Sequence, residues 1–269
     1  MSKDSKTATA FAQSWNDLPK GSVYTQDQFE DWLDPNQRKD ISGKYVLELG
    51  CGNGSLLTHM AEWEPCYLEG VDLGGSVESA RENMISTKCK NWKITQADII
   101  SYRGNGFDFV YCIGVLHHMK NPEEGFKAVV GAIKPGGRFH CWVYGDEGNF
   151  VVKSFIDPLR QIVCHLPWWI IKYAIAFPLS LLLFIISKLA RTFENYKLKK
   201  LFPMHSYLKW ISSYDFKFHH HVVCDQLVSP QTTYINKATI EQWLGEQSLE
   251  NIYIISRNGN SWKFGGVKK

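Results

Sequence analysis

Residues 45–54 read YVLELGCGNG, a short apolar run that passes directly into three glycines separated by single residues. Such a run predicts a buried strand that ends in a tight turn, with a helix beginning near Ser55. Gly50, Gly52 and Gly54 let the backbone turn sharply and leave no Cβ between main-chain N–H groups and a ligand. The stretch therefore predicts a cofactor cradle at the N-terminus of a helix.

The spacing of these glycines differs from the fingerprint of hydride-transfer enzymes. That fingerprint, G-x-G-x-x-G, would need glycine at position 55, where this sequence has Ser55. The match is E-x-G-x-G-x-G, from Glu48 to Gly54. Structural turns use glycine too, so the function of this turn has to be inferred from the sequence motifs that follow it.

Five blocks follow one another in order between residues 41 and 145. They are VLELGCGNG, the acidic residue of GVDLG, the step Ala97-Asp98-Ile99, the block FDFVYCIGVLHHMKNP and the turn IKPGGRF. In this order and at this spacing, the sequence resembles the class I S-adenosylmethionine-dependent methyltransferases of the small-molecule type, similar to those of ubiquinone biosynthesis. The resemblance implies an α/β fold with a Rossmann-like, doubly wound sheet of seven strands. It also implies S-adenosyl-L-methionine as the cofactor.

The acidic residues of these blocks are the expected adenosine contacts. Asp72 lies at the carboxyl end of the second predicted strand, where a parallel sheet binds ligands and an acid accepts hydrogen bonds from ribose hydroxyls. The resemblance places Asp98 against the adenine amino group and Ile99 on the ring face. For both acids the alternative is an ordinary helix cap or turn residue. The full set of expected cofactor contacts is Glu48, Gly50, Cys51, Gly52, Asn53, Gly54, Asp72, Leu73, Asp98, Ile99, Ile113 and Gly114.

Two adjacent histidines follow the fourth predicted strand, at the place where the methyl group would leave. Imidazole titrates near neutrality, so it suits the removal of a proton from an acceptor hydroxyl or amine. His118 is the candidate general base, and His117 is the candidate substrate contact. In the alternative interpretation, the histidine only holds the loop by hydrogen bonds. An acceptor that is already nucleophilic needs no base.

Residues 1–40 form a predicted lid. Residues 1–10 have the composition of a frayed tail, and the aromatic residues interleaved with acids and amides after Phe11 predict short helices. We expect Trp15 and Tyr24 to contact the cofactor or the substrate. The alternative is that both aromatic side chains only pack on the core.

The pattern changes over residues 146–218, where the sequence predicts a helical insertion after the fifth strand. Residues 168–189 are almost wholly apolar, interrupted by Lys172 and by Pro178, which should kink a helix. Three interpretations compete: a lid over the acceptor pocket, a peripheral membrane contact through residues 167–200, and a true span, which needs about 20 apolar residues. The acceptor is therefore expected to be a small molecule that is apolar or partly lipidic.

Residues 41–145 and 219–269 make up the predicted cofactor domain. Its C-terminal part contains a hairpin signal at Asn258-Gly259. The resemblance implies that the last strand lies antiparallel between its neighbours. The sequence places His219–His221 on a strand, in which only alternate side chains share a face. A metal site shared with Asp225 is therefore disfavoured, and we expect no metal.

Composition limits the classes of partner. The net charge is only +3 over 269 residues, and the basic patch at Lys197, Lys199 and Lys200 is short. Both are too small for binding to a phosphate backbone, so we expect no nucleic acid partner. The seven cysteines include no C-x-x-C pair, and the polar N-terminus lacks the apolar core of a secretory signal. We expect a cytoplasmic protein that associates with membranes only through the insertion.

Two other functional classes compete with a methyltransferase. One is a non-catalytic S-adenosylmethionine-binding module that docks to a membrane or protein partner, and the intact glycines and acids argue against it. The other is a nucleotide-dependent oxidoreductase, which Ser55 argues against. The oligomeric state and the pathway are not encoded in any pattern of this sequence.

Overall fold

The described residues of this computed structural model, 3–18, 20–193 and 202–269, build one central sheet. Its strands are β1 (Tyr45–Leu49), β2 (Tyr67–Asp72), β3 (Trp92–Gln96), β4 (Phe107–Ile113), β5 (Ile133–Tyr144), β6 (Leu249–Arg257) and β7 (Ser261–Lys268). They form a seven-stranded sheet in the order β3-β2-β1-β4-β5-β7-β6. Strands β1 to β5 run parallel, and β7 is antiparallel to both β5 and β6. The predicted Rossmann-like sheet, with its antiparallel last strand, is confirmed.

Helices pack on both faces of this sheet. In chain order they are α1 (Lys3–Trp15), α2 (Gln26–Leu33), α3 (Arg38–Ile41), α4 (Ser55–Ala61), α5 (Val77–Ile85), α6 (Pro122–Ala132), α7 (Asp157–Val163), α8 (Phe177–Thr192), α9 (His205–Ile211), α10 (Phe216–Val228) and α11 (Lys237–Gly245). A 3₁₀ turn over Leu116–His118 follows β4. Short π-helical segments, Val152–Ile156 and Ile170–Ala176, lead into α7 and α8.

Strand β4 shows why the apolar run at its position becomes the middle of the sheet. Its side chains alternate between two buried clusters: Val110 and Cys112 join the cluster under α6 and α11, whereas Phe109 and Tyr111 join the cluster under α4 and α5. A strand covered on both faces has to be apolar throughout, which is typical of parallel sheets. Because the strand order reverses between β1 and β4, the loops that follow these two strands diverge and open a crevice at the carboxyl edge.

Two stretches have a different secondary structure from the one the sequence predicts. A frayed tail is expected over residues 1–10, but its described part, from Lys3 onwards, belongs to helix α1. Ala10 and Phe11 of this helix pack against the apolar cluster that holds Cys224 of α10. Polar composition therefore misled the prediction, because long-range packing holds this helix in place. The strand expected at His219–His221 is also wrong, since these residues lie in α10, which begins at an Asp215 side chain that accepts the Phe218 N–H at 2.9 Å.

The insertion is helical, as the sequence predicts, and continues through α10 to Val228, beyond the expected boundary at residue 218. Helicity is unbroken from Ile170 to Thr192, with the π-helical segment placed just before Pro178. Proline removes a backbone N–H from the helix ladder, and a π-type turn is one way to accommodate that loss. Within the described ranges, this stretch is long and apolar enough to cross a membrane by length and composition, and 22% of it is buried.

Phe126 of α6 offers a direct check of this packing. Its ring is 1% exposed, and its centroid lies 5.6 Å from Phe139 and 5.8 Å from both Trp243 and Phe264. We expect Phe126→Ala to lower the free energy of unfolding by about 3–5 kcal/mol, because it leaves a cavity among the three remaining aromatic rings. Ile85→Ala is the control, since Ile85 is 71% exposed. Urea titration should show almost no effect of the control, and equal effects of both would contradict this packing.

Candidate functional site

The glycine loop after β1 lies at the reversal point of the sheet, and its backbone approaches two side chains closely. Gly50 has a φ of 86°, and a Cβ there would lie 2.2 Å from Cγ2 of Val115, in the loop after β4. Gly52 has a φ of 52°, and a Cβ there would lie 2.6 Å from the ring of Trp15. Both positions therefore require glycine, on conformational and on steric grounds. Gly50 and Gly52 lie in the glycine turn that the sequence predicts, and Gly54 is the N-cap of α4.

Asp72 ties this loop to the end of β2. One carboxylate oxygen accepts the Gly52 N–H at 2.9 Å, and the other accepts the Gly74 N–H at 2.6 Å. Burial raises the pKa of Asp72, and the two backbone donors oppose that rise. Each carboxylate oxygen keeps a second lone pair, and the side chain lines the central cavity. The geometry is suited to two further hydrogen bonds from a diol such as ribose.

Glu48 lies beneath the same loop and is 1% exposed. Its Oε2 accepts a hydrogen bond from the Tyr111 hydroxyl at 3.0 Å. Burial raises the pKa of Glu48 to about 8, and this hydrogen bond only partly opposes the rise. The carboxyl group is therefore mostly protonated at neutral pH until a cation binds beside it.

Asp98 lies at the carboxyl edge beyond β3 and also lines the cavity. Its Oδ1 accepts the Ile100 N–H at 2.9 Å, so the turn role given as the alternative is present alongside an accessible carboxylate. Most of the other expected cofactor contacts line the same cavity: Gly50, Cys51, Gly52, Leu73, Ile99, Ile113 and Gly114. Asn53 and Gly54 do not line it, because Asn53 is 2% exposed and its Oδ1 accepts hydrogen bonds from the N–H and hydroxyl of Ser55.

The two histidines after β4 have different surroundings. His118 lines the cavity, and its Nδ1 lies 2.9 Å from the carbonyl oxygen of Gln231, which can only accept. Nδ1 must therefore carry the proton, which leaves Nε2 as an acceptor with no hydrogen bond to any residue that the structure describes. Burial lowers the pKa of His118 to about 4, so its imidazole is neutral at physiological pH.

His117 is fully buried and does not line the cavity. Its ring lies under Tyr144 at a centroid distance of 4.0 Å, and its Nδ1 accepts the Tyr144 N–H at 3.4 Å. Its Nε2 has no hydrogen-bond partner in the described part of the chain. Burial, followed by the neighbouring His118, lowers the pKa of His117 well below its usual value. This position favours a packing role and not the substrate contact that the sequence predicts.

Trp15 and Tyr24 both line the cavity, in a polar cluster that the sequence predicts only in part. The Trp15 indole N–H donates to Oδ1 of Asp225 at 3.2 Å, and Oδ2 of Asp225 lies 3.4 Å from His221 Nε2. The Tyr24 hydroxyl lies 3.3 Å from the same nitrogen. Burial raises the pKa of Asp225 and of Tyr24. His221 and Asp225 are four residues apart on α10 and so share a face, which the strand interpretation missed.

These groups surround one cavity of about 600 Å³. Glu48, Asp72 and Asp98 lie at its sheet end, and apolar side chains of the insertion, including Leu179, Leu183 and Ile186, line its other end. The volume is typical of small-molecule sites. The described residues contain no group of His, Cys, Asp or Glu side chains that could hold a metal ion. The glycine cradle, the acidic strand ends and the space above them fit an adenosine cofactor with a charged amino acid tail.

Comparison with known proteins identifies a methyltransferase domain in the part of the chain that forms this crevice. Residues 47–139 match the family model described as a methyltransferase domain. Among curated proteins, an uncharacterised protein of Synechococcus is 27% identical over 123 residues, which cover 44% of this chain and 29% of that protein. A tRNA U34 carboxymethyltransferase of Helicobacter pylori is 35% identical over 102 residues, which cover 36% of this chain and 39% of that protein. The chain thus aligns with less than half the length of either relative.

Solved structures extend the likeness to the whole fold. Magnesium protoporphyrin IX methyltransferase from Synechocystis, with bound S-adenosylhomocysteine, superposes over 99% of this chain and 98% of its own, with a TM-score of 0.56 and 14% identity. An O-methyltransferase family protein from Burkholderia thailandensis covers 91% of this chain and 56% of its own, with a TM-score of 0.56 and 10% identity. At this identity the likeness establishes the fold. The expected class I methyltransferase is confirmed in its domain and its fold, and S-adenosylmethionine is the cofactor of that family.

The role of Asp72 can be tested by binding of S-adenosylhomocysteine. We expect Asp72→Ala to weaken binding about 10-fold to 100-fold, because hydrogen bonds to a charged group contribute about 1.5–3 kcal/mol. Glu82→Ala is the control, since Glu82 is exposed and pairs with exposed Lys20. Isothermal titration calorimetry measures both variants. If Asp72→Ala bound S-adenosylhomocysteine with unchanged affinity, Asp72 would not be a cofactor contact.

The raised pKa of Glu48 predicts a pH dependence of the same binding. The ammonium group of S-adenosylhomocysteine favours the carboxylate, so binding at neutral pH should release the Glu48 proton. Affinity should therefore rise between about pH 6 and pH 8, because fewer molecules must lose a proton before they bind. Calorimetry in buffers with different heats of ionisation measures the released proton directly. Glu48→Gln should bind more weakly and without this proton, and a proton released equally by the variant would contradict the assignment.

Proposed function

We propose that this chain, a class I methyltransferase by domain and fold, transfers the methyl group of S-adenosylmethionine to an apolar or amphiphilic small molecule. One observation carries the proposal. The cavity that begins at the glycine loop and the acidic strand ends continues into a space lined by the apolar insertion. Donor and acceptor sites thus share one enclosed volume, which methyl transfer requires.

The helical end of the cavity defines the class of acceptor. Leu179, Leu183 and Ile186 of α8 line it together with Leu208 of α9 and Phe218 of α10. Apolar groups leave water at a gain of roughly 25 cal/mol per Å² buried, so a hydrophobic acceptor would bind there and a highly charged one would not. Trp15, whose ring covers Gly52, and Tyr24, whose ring centroid lies 6.4 Å from that of Phe218, connect this end to the glycine loop. We place the reacting atom of the acceptor there.

The chain's own residues then have two tasks. The bound cofactor supplies an activated methyl group on a sulfonium, so the protein has to align the acceptor and exclude water. Trp15 covers the glycine loop, and the insertion encloses the other end of the cavity. We assign the proton transfer to His118, whose Nδ1 hydrogen bond to Gln231 fixes Nε2 as the acceptor. A weak base is sufficient, because a hydroxyl becomes strongly acidic as its oxygen gains the methyl group.

A nucleic acid acceptor is the main rival, because several of the matched relatives are tRNA carboxymethyltransferases. Those matches cover less than two fifths of each relative's length. The net charge of +3 and the enclosed, largely apolar cavity support a small molecule instead. We therefore keep a small-molecule acceptor as the proposal, with tRNA as its direct competitor in the test.

The test is transfer of isotope-labelled methyl to two pools of acceptor. One pool is a lipid-soluble extract presented in detergent, and the other is total tRNA. Label in the organic phase would support the proposal, and label in the tRNA would overturn it. Binding of S-adenosylhomocysteine without transfer to either pool would favour the non-catalytic module. Asp72→Ala serves as the negative control for cofactor-dependent labelling.

The role of His118 predicts an unusual pH profile. Because burial lowers the pKa of His118 to about 4, kcat at saturating S-adenosylmethionine should stay flat from about pH 8 down to pH 5 and fall only below that, whereas an ordinary imidazole would lose activity near pH 6.5. We expect His118→Gln to lower kcat by about 10²-fold or more while leaving the affinity for S-adenosylhomocysteine intact. His165→Gln is the control, since His165 is exposed. A loss of kcat in His221→Gln but not in His118→Gln would move the assignment to the Asp225 cluster.

A further inference from the structure

An apolar stripe runs along the outer side of the helical insertion. It consists of Ile162, Trp169, Tyr173, Phe177, Leu181, Ile185 and Leu189, each between 45% and 71% exposed. From Trp169 onwards its members recur every four residues, so successive members are neighbours on the helix surface. We call these seven residues the outer stripe. Scattered apolar residues on a surface are ordinary, but a continuous row of this length marks a surface that binds something apolar.

The opposite face of the same helical stretch is attached to the protein. The Ser187 hydroxyl lies 3.0 Å from His219 Nε2, and the Ser180 hydroxyl lies 3.1 Å from His220 Nδ1. Both serines are fully buried against α10. The helix is therefore fixed lengthwise on the domain, and the outer stripe is the side that faces away from it.

The cavity reaches the surface beside the outer stripe. Leu182 lines the cavity and is also 54% exposed, directly next to Leu181 of the stripe. Leu179, Leu183 and Ile186, on the inner side of α8, continue the apolar lining inwards. An apolar molecule could thus pass from the outer stripe into the cavity without crossing a polar surface.

Charge distinguishes a lipid surface from other partners. Residues 158–193 contain no Asp or Glu, and two of their basic residues, Lys188 and Arg191, are exposed beside the apolar residues. The other two already have acidic partners, because Lys172 pairs with Asp17 at 2.5 Å and buried Arg160 pairs with Asp157. The Lys188 ammonium group donates to the carbonyl oxygen of Ser212 at 2.6 Å. Trp168 and Trp169 lie at the start of the helical stretch, and amphipathic rings are typical of the membrane–water interface. A basic helix without acids, bearing aromatic residues, is suited to anionic headgroups.

We propose that the outer stripe lies in the plane of a membrane surface and that Leu182 marks the entrance through which a membrane-dissolved acceptor reaches the cavity. The location that follows is the cytoplasmic face of a membrane. A transmembrane span does not fit, because it would require the helix to leave α10 and expose Ser180 and Ser187 to lipid. The entrance rests on the proposed function, whereas the membrane contact itself does not. The basic patch at Lys197, Lys199 and Lys200, expected to support this contact, lies outside the described residues.

The experiment is co-flotation of the full chain with lipid vesicles. Vesicles of phosphatidylcholine alone and of phosphatidylcholine mixed with phosphatidylglycerol separate apolar insertion from attraction to anionic headgroups. The test variant combines Tyr173→Ser, Leu181→Ser and Ile185→Ser, three stripe residues that do not line the cavity. The control variant combines Ile85→Ser and Ile252→Ser, which are exposed apolar residues outside the insertion. Binding of S-adenosylhomocysteine and circular dichroism confirm that both variants are folded.

We expect the wild type and the control variant to float with the mixed vesicles, and alkaline carbonate to release them as it releases surface-bound proteins. The test variant should partition about tenfold less or worse, because apolar burial drives interfacial binding. Its affinity for S-adenosylhomocysteine should not change. With a lipid-soluble acceptor in the vesicles, its kcat/KM should fall in parallel with the partitioning.

Three results would overturn the proposal. One is a wild type that binds S-adenosylhomocysteine but does not float, and a second is equal flotation of the test variant. The third is a dimer in gel filtration that the test variant abolishes without any vesicle binding, which would assign the outer stripe to a second copy of the chain. Resistance to carbonate would replace the in-plane arrangement with a span. If the wild type floated with the vesicles but did not bind S-adenosylhomocysteine, the membrane contact would be supported and the proposed function would be overturned.

Discussion

The carboxylate of Asp72 is the connection on which the rest of the site depends. By accepting the N–H groups of Gly52 and Gly74, it fixes the glycine loop after β1 to the end of β2. The loop can reach that carboxylate only because Gly50 and Gly52 adopt positive φ angles that other residues rarely adopt. The reversal of strand order beside β1 then leaves an open crevice above the loop. Strand order, backbone conformation and one buried acid thus produce a single cradle.

Burial controls the charge of the groups around this cradle. It raises the pKa of Glu48 and Asp72 and lowers the pKa of His118. Glu48 and His118 are therefore mostly neutral at neutral pH in the absence of a ligand. A cationic ligand reverses this preference for Glu48, because an opposite charge at short range favours the carboxylate. In the proposed function, the apolar insertion that lines the acceptor end also keeps water away, so that one structural feature would govern both specificity and protonation.

The sequence predicts the fold and the sheet end of the site well, because the information there is local. Each strand has an apolar run, and the expected cofactor contacts Glu48, Asp72 and Asp98 lie at or near strand ends, so they can be located by counting elements. The insertion obeys no such rule. Its histidines resemble a strand in composition, and only packing of α10 against α8 makes them helical, which brings His221 beside Asp225. His117 and His118 are indistinguishable in sequence, yet one lies under Tyr144 and the other faces the cavity.

The helical stretch Ile170–Thr192 shows most clearly why sequence alone leaves alternatives open. A helix that lines a hydrophobic cavity on one side and meets lipid on the other is apolar all round, which is also the composition of a transmembrane span or a core helix. Only the two small polar exceptions, Ser180 and Ser187, identify the side attached to the protein, because each faces a histidine of α10. The lid and the membrane segment that compete in the sequence analysis therefore need not exclude each other. One helix can serve as both if its inner face closes the acceptor pocket while its outer face lies where the acceptor is dissolved.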